Sequence, residues 1–426
     1  DDIERARINV FDWQKEFFEI MQAGGFDAVI GNPPYISALA LSKLQGVEIK
    51  NYWKDSYQTA KGTYDIYVLF IEKALSLARQ QGFVSYITPN KFLSAPYGRA
   101  LREFLLTKHS FEQLVDYSSV PVFEGASVYP VISILRVGQK FSEQIEVMHA
   151  TAAGTDFSLK QLISTNDLRR FPENIWGTVL GPHTGLCAKI YGISKTLENV
   201  ASVQATSTAA EADEYSAYVY NQNGKAHGMK LVNTGTIDRY VPLWGTVSLT
   251  NKGEKYEQPI LDVRKVKRER AELYATPKII FAKMAKIIEC FLDSDGSFAS
   301  LNTNCVFAPK DGLTPKFLVG LLNTKLLTFI YRQVFAALKM SGGYFQFQAP
   351  QLRLLPIVEP SERMRIAVEQ LVDQILVLHQ KLAAVKTPHE QESLRRQIDA
   401  TDGQIDKLVY ELYDLTDEEI KIVEGE

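Results

Sequence analysis

The 426-residue sequence is poor in cysteine: Cys187, Cys290 and Cys305 are odd in number, far apart and form no CxxC pair. That excludes a disulfide framework and fits a reducing cytosol. The six histidines are scattered too, so no metal site is expected. No apolar run approaches the roughly 18 residues of a membrane span, and no membrane partner is expected. The opening DDIERARINVF also lacks the apolar core of a secretion signal. Neither sign of charge prevails: 47 Lys and Arg stand against 50 Asp and Glu, a net charge of −3. Whole-chain charge therefore points to no nucleic acid, and any DNA-facing surface must come from local clustering. Repeats and low-complexity tracts are missing as well. What remains is the composition of a folded protein, 46% hydrophobic and 23% charged, long enough for two or three domains.

The first 140 residues alternate strand and helix signals. INVF (8–11) and FDAVIG (26–31) are short strands, with WQKEFFEIM (13–21) a helix between them. Residues 64–81 carry apolar positions at helical spacing, with Gly82 as a C-cap. GFVSYITP, FEQLVDY and VISILRV read as strands and RALREFLLTK as a helix. Strands alternating with helices predict an α/β domain over 1–150, with a mostly parallel sheet covered on both faces. Over 151–358 short Gly-, Thr- and aromatic-rich runs predict a more β-rich, α+β domain, interrupted by a helical stretch at 316–334. Over 359–426 Met364, Val368, Leu371, Ile375, Leu378 and Leu382 keep alternating spacings of 4 and 3. Leu394, Ile398, Thr401, Ile405, Leu408 and Leu412 repeat the rhythm, which predicts an antiparallel helical hairpin. A capping box of Thr416 and Glu419 opens a last short helix.

The chemistry concentrates at Asn32-Pro33-Pro34-Tyr35, directly after FDAVIG. The N6 amino group of adenine is a poor nucleophile because its lone pair is delocalised into the ring. Two acceptors, each taking one amino hydrogen, favour the more tetrahedral nitrogen that can attack a methyl sulfonium. An Asn side-chain carbonyl can be one acceptor. The carbonyl of a following proline can be the other, since consecutive prolines hold the chain extended and carry no N–H. The next aromatic ring can stack on a base that has left the duplex. The end of a strand is where α/β sheets place ligands. The plain alternative is a strand terminator, but by average usage this string recurs in only roughly one chain per thousand of this size.

FDAVIGNPPYI resembles motif IV of the amino-methyltransferases in the γ-type order, where the recognition domain follows the catalytic one. The wider text (NVFDWQKEF, GTYDIYVLFIEKAL, GFVSYITPNKFL, VDYSSVPVFEGASVYPVISIL, then LVNTGTIDRY, PKIIFAK and SGGYFQF) is similar to the N6-adenine DNA methyltransferases of type IIG restriction–modification systems with a TaqI-like specificity domain. The resemblance implies S-adenosylmethionine as cofactor, double-stranded DNA as partner and the prokaryotic cytoplasm as location. It implies Asn32, Pro33, Pro34 and Tyr35 as the catalytic loop, with Tyr35 and Phe123 stacking on the base. Asp12 and Trp13 match the adenosine-contacting place, and Tyr64 and Asp65 fall in the motif that helps line the cofactor pocket. Two bland alternatives stay open: Asp12 as a helix cap, and Phe123 as a core aromatic.

In this family the glycine-rich turn for the methionine end of the cofactor lies upstream of the acidic residue. No GxG segment precedes Asn32, so the expectation is a C-terminal fragment that alone methylates nothing, beside a cofactor segment and a nuclease N-terminal to it. No PD…ExK pattern appears in the chain itself. For DNA contact, RKVKRER offers Arg264, Lys265, Lys267, Arg268 and Arg270, followed by Lys278, Lys283 and Lys286. The alternative is a solvated helix face. Segments 203–216, 238–240 and 341–348 are candidate reading or clamping loops. Two other functions remain in play: a protein-glutamine methyltransferase, which uses the same four residues, and a specificity module without catalysis of its own.

Overall fold

A computed structural model describes residues 11–123, 128–138, 142–151, 156–222 and 228–425. Of the strand expected over 8–11, only Phe11 falls within that set. The chain forms two compact units, Asp1–Ala188 and Lys189–Glu426, so the first runs beyond residue 150 and the hairpin belongs to the second.

The first unit opens with α1 (Trp13–Glu16) and α2 (Phe18–Gln22). One helix was expected there. It breaks at Phe17, whose backbone (φ −125°, ψ 47°) leaves helical space. Then come β1 (Phe26–Gly31), α3 (Ala38–Gln45), α4 (Val47–Ser56), α5 (Tyr67–Leu77) and β2 (Ala78–Pro89). They are followed by α6 (Arg99–Lys108), β3 (His109–Asp116), β4 (Pro130–Val137), β5 (Gln144–Ala150) and β6 (Phe157–Ser164).

The six strands form one sheet in the order β1-β2-β4-β3-β5-β6. Only β1/β2 and β3/β5 are parallel; the other neighbours are antiparallel. The α/β class holds, but the sheet is mixed rather than mostly parallel. α6 carries the chain from β2 to β3 as a crossover, but no helix is described between β3 and β4, so β4 turns back and inserts antiparallel between β2 and β3. Val84, Leu114, Val131 and Val147, one from each inner strand, are fully buried. Each such side chain contributes about 1.5–3 kcal/mol. Helical periodicity runs on to Gln81, yet α5 ends at Leu77 and β2 begins at once. Gln81 takes a positive φ of 65°. A Cβ on Gly82 would lie 2.9–3.1 Å from the carbonyl oxygens of Arg79, Phe26 and Asp27. Gly82 thus serves the register jump from Phe26↔Ala78 to Ala28↔Phe83, and is not a helix cap.

The second unit carries β7 (Ser202–Ala205), α7 (Ala209–Tyr215), β8 (Val219–Asn221), β9 (Met229–Val232), β10 (Pro259–Leu261) and α8 (Arg268–Tyr274). Next are β11 (Lys278–Phe281), β12 (Met284–Ala285), β13 (Cys290–Asp293), β14 (Phe298–Ser300) and β15 (Asn304–Phe307). Two four-stranded sheets result, β14-β9-β10-β8 and β13-β11-β15-β7. The β-rich reading of this region holds. The helical stretch at 316–334 is two helices, α9 (Pro315–Leu322) and α10 (Lys325–Val334). Thr324 accepts the Leu327 N–H to start the second (3.4 Å), while the Asn323 side chain exchanges two hydrogen bonds with the Cys290 backbone (2.9 and 3.1 Å). After β16 (Phe345–Gln346) the tail folds as expected into α11 (Glu362–Ala384), α12 (Pro388–Leu412) and α13 (Asp417–Glu424), the last opened by its Thr416–Glu419 capping box. Among the described residues no helix is long and apolar enough to cross a membrane.

Candidate active site

Among the described strands β1 stands at the end of the sheet order, and it delivers Asn32 at its C-terminal end. Gly31 stands just before the loop in a tight place. It faces Tyr86 on β2, and a Cβ there would lie 3.0 Å from the Tyr86 ring. Pro33 is buried and Pro34 exposed, so the extended dipeptide is seated on one side. The Asn32 side chain is exposed and makes no hydrogen bond among the described residues.

Tyr35 is held firmly. Its hydroxyl donates to the Ile87 carbonyl on β2 (3.0 Å), and its ring stands edge-on to Tyr67 at 6.4 Å and to Phe123 at 6.0 Å. Burial pushes its hydroxyl pKa up to about 12, so it remains a donor at neutral pH. Phe123 is partly exposed. Asp65 is brought close by backbone pairing: Ala38 N–H donates to Tyr64 O (2.9 Å) and Ile66 N–H to Ile36 O (2.8 Å). The Asp65 carboxylate accepts from Tyr97 (3.2 Å), which also bonds the Tyr67 hydroxyl (2.8 Å).

Tyr67 and Tyr97 were missed in the sequence. Tyr67 hides in the apolar stripe of α5, and nothing local marks Tyr97. The latter sits in a loop pinned by fully buried Arg102, whose guanidinium donates to the carbonyls of Phe92, Ala95 (3.1 Å) and Asn174 (2.7 Å). Asp12 and Trp13 are not joined to this group by any hydrogen bond or ring contact among the described residues. Asp12 accepts from Gln14 N–H (3.1 Å) as the cap of α1, the bland alternative. Trp13 packs on Phe17 and on Phe26, which opens β1.

A cavity of about 600 Å³ lies beside this cluster, lined by Lys61, Thr63, Tyr97, Arg99 and Glu103 among others. Lys61, Arg99 and Glu103 bring charge to its wall, Pro96 and Ala100 are apolar, and Asp65 reaches it only through its bond with Tyr97. The methionine end finds no glycine-rich turn over 11–31. Gly24 and Gly25 there close a turn against β2, where a Cβ on Gly25 would meet Leu77 O at 2.4 Å.

In the second unit the basic run is internally paired. Arg264 forms a bidentate pair with Asp262 (2.8 and 2.9 Å), and Lys267 (3.0 Å) and Arg270 (2.9 Å) share buried Glu211. Arg268 pairs with Glu272 (2.7 Å), while Lys265 lies 5.5 Å over the Tyr218 ring. Lys278 is fully buried on Asp293 and cannot meet a phosphate. Of the candidate loops, Arg239 and Tyr240 bond Asp402 of α12 (2.7 and 2.9 Å), which ties the loop to the tail hairpin. Residues 208–211 form the capping box of α7.

The fold and loop define a methyltransferase-like α/β domain followed by a recognition domain, and the comparisons agree. Residues 1–123 match the Eco57I restriction-modification methylase family, and residues 234–357 match the TaqI-like C-terminal specificity domain. The chain thus joins an Eco57I-like restriction–modification methylase domain to a TaqI-like specificity domain. It is 32% identical over 110 residues to the type II restriction enzyme and methyltransferase RM.Eco57I of Escherichia coli, covering 26% of this chain and 11% of that protein. It is 25% identical over 315 residues to the type II methyltransferase M.TthHB8I of Thermus thermophilus, covering 70% and 65%. The chain therefore spans less than two thirds of the length of either relative. The type IIL restriction–modification enzyme MmeI, solved in complex with DNA, shares the fold with a TM-score of 0.56 at 13% identity, over 95% of this chain and 56% of that one.

Proposed function

We propose that this chain presents the target-base pocket and DNA-reading domain of a site-specific adenine-N6 DNA methyltransferase of a restriction–modification system. It works on duplex DNA in the prokaryotic cytoplasm, and any cleavage lies with a nuclease outside these residues. The observation that carries the reading is the division of labour in the loop. Asn32 keeps its amide exposed and unengaged, while Tyr35 beside it is locked by its own hydroxyl. Asn32 Oδ1 accepts one N6 hydrogen and the Pro33 carbonyl the other, which draws the nitrogen toward tetrahedral geometry and frees its lone pair. Tyr35 offers a fixed face to a base that has left the duplex, and Phe123 flanks it. Asp65, oriented by Tyr97, holds a polar edge of the cofactor. Bound S-adenosylmethionine would supply the methyl group. The relatives support this reading, since M.TthHB8I is named a methyltransferase and MmeI was solved with DNA.

The test uses a polypeptide in which a glycine-rich cofactor segment precedes these residues. It is incubated with duplex DNA and tritiated S-adenosylmethionine, and the labelled nucleoside is identified. Label in N6-methyladenine that Asn32→Ala abolishes is the expected result. Label in cytosine, or in a protein glutamine, overturns the reading.

A further inference from the structure

With the basic run paired internally, the DNA-facing side of the specificity domain has to be sought elsewhere. Residues 276–288 and 336–351 contain Lys278, Lys283, Lys286 and Lys339 and no acid. They meet in a two-stranded antiparallel ribbon, β12 with β16, in the register Met284↔Gln346 and Ala285↔Phe345. A bond from Phe347 N–H to Lys283 O (2.8 Å) extends it. Alternation sorts its side chains onto two faces. Ala285 and Phe345, 4% and 3% exposed, pack inward, whereas Met284 and Tyr344, each 42% exposed, face out. Partly exposed Gln346 lies opposite Met284 on that outer face, and the Lys286 ammonium stands 5.5 Å over the Tyr344 ring. The turn feeding β16 closes through Met340 N–H to Tyr344 O (2.8 Å), with Gly342 and Gly343 at positive φ (75° and 80°). That leaves Lys339 and Ser341 exposed beside it. No carboxylate pairs with Lys283, Lys286 or Lys339 among the described residues.

The ribbon is also rigidly mounted. Tyr331 donates to Gln346 O (2.6 Å), and the Asn304 side chain donates to Phe347 O (2.6 Å) and accepts from Ala349 N–H (3.1 Å).

We propose that the outer face of this ribbon is the element that enters the major groove of duplex DNA. The inference rests on the reading of the protein as a DNA enzyme. A two-stranded ribbon fits that groove, and a glutamine can bond both N6 and N7 of adenine. Gln346 is therefore the base-reading residue, released from its bond with Gln348 on docking. Met284 and Tyr344 supply apolar contact, while Lys286 and Lys339 meet phosphates.

The experiment measures binding of the chain to a duplex with a randomised window over a series of salt concentrations, and sequences the selected DNA. Lys286→Ala combined with Lys339→Ala is expected to weaken binding to every sequence and to flatten the log–log salt slope by about 0.9 per lysine. Gln346→Ala should leave the slope alone and relax the preference at one base pair by roughly tenfold. If the double variant melts early, Lys339→Ala alone, on an exposed turn, carries half the slope change. Suppose instead that Arg264→Ala with Arg268→Ala flattens the slope while the ribbon variant does not: the ribbon assignment falls and the DNA reading stands. A wild-type chain that binds no duplex overturns both.

Discussion

In Asn32–Tyr35 the backbone is fixed and one amide is left over; in Arg264–Arg270 the backbone is ordinary and nearly every charge is used up. Pro33 is buried and Tyr35 bonded to Ile87 O, so the loop's shape does not depend on Asn32, which engages nothing. The basic run shows the reverse, with Glu211 taking both Lys267 and Arg270 and Asp262 taking Arg264. A motif that specifies backbone geometry keeps its meaning once folded, because neighbours cannot easily change it. Charge is only an inventory, and nearby acids can spend it. The largest test of the contrast is Asn32→Ala, expected to cut methyl transfer by about 10²–10³, the cost of losing one preorganised polar contact to a developing charge. Its melting temperature should match the wild type. A folded variant with normal transfer would erase the distinction.

The second test acts on the other side. Burial pushes the Glu211 carboxyl up, but the Thr208 N–H, Arg270 and Lys267 outweigh it and hold its pKa at about 2. Because the folded value lies below the ordinary 4.5, the stabilisation is present above about pH 4.5 and is lost as pH falls toward 2. Glu211→Gln should therefore cost about 2 kcal/mol at pH 7, after discounting for the exposed end of Lys267, or about 4–8 °C in the melt of the second unit. The two proteins should converge on acidification. A constant gap down to about pH 2 would mean that the pairing of the basic run is not what Glu211 contributes.

Tyr35→Phe is the subtler probe of the loop. It keeps the ring and removes the bond to Ile87 O, worth about 1 kcal/mol, or roughly a fivefold loss of transfer through a less firmly held stacking face. Since burial keeps the hydroxyl protonated up to about 12, the variant and wild type should share one pH–rate profile across the neutral range. A wild-type limb that vanishes in Tyr35→Phe would give Tyr35 an acid–base role that its environment argues against.

The same division explains what could be read in advance. FDAVIG became β1 and RALREFLLTK became α6 residue for residue, because each is a local pattern that its neighbours reinforce. Tyr35 meets Phe123 edge-on and Asp65 is linked to Tyr35 through Tyr97 and Tyr67, yet Tyr97 enters only through a loop that Arg102 pins from a distance. The end of α5 was misread at Gly82, because a pairing between strands overrode helical spacing. Likewise, the fates of Lys278 and Arg270 turn on Asp293 and Glu211, which lie 15 and 59 residues away. Local sequence carries no record of such partners.

The smallest expected effect belongs to Arg268, the most exposed of the run's ion-paired cations. Its side chain is 91% exposed, and its partner Glu272 sits one turn on in α8, itself 62% exposed. Such a surface pair contributes about 0.5 kcal/mol at most, so Arg268→Ala should barely move the melt. Binding to duplex DNA is where the alternatives part. If Arg268 is a solvated helix face, the salt slope of Arg268→Ala equals that of the wild type. If it holds a phosphate, the slope flattens by about 0.9, as it should for Lys339→Ala on the ribbon. Arg268 already has a carboxylate one turn away and Lys339 has none, so a phosphate must displace Glu272 at the first site and displaces only water at the second. That difference in competition is why the slope should change at Lys339 and not at Arg268.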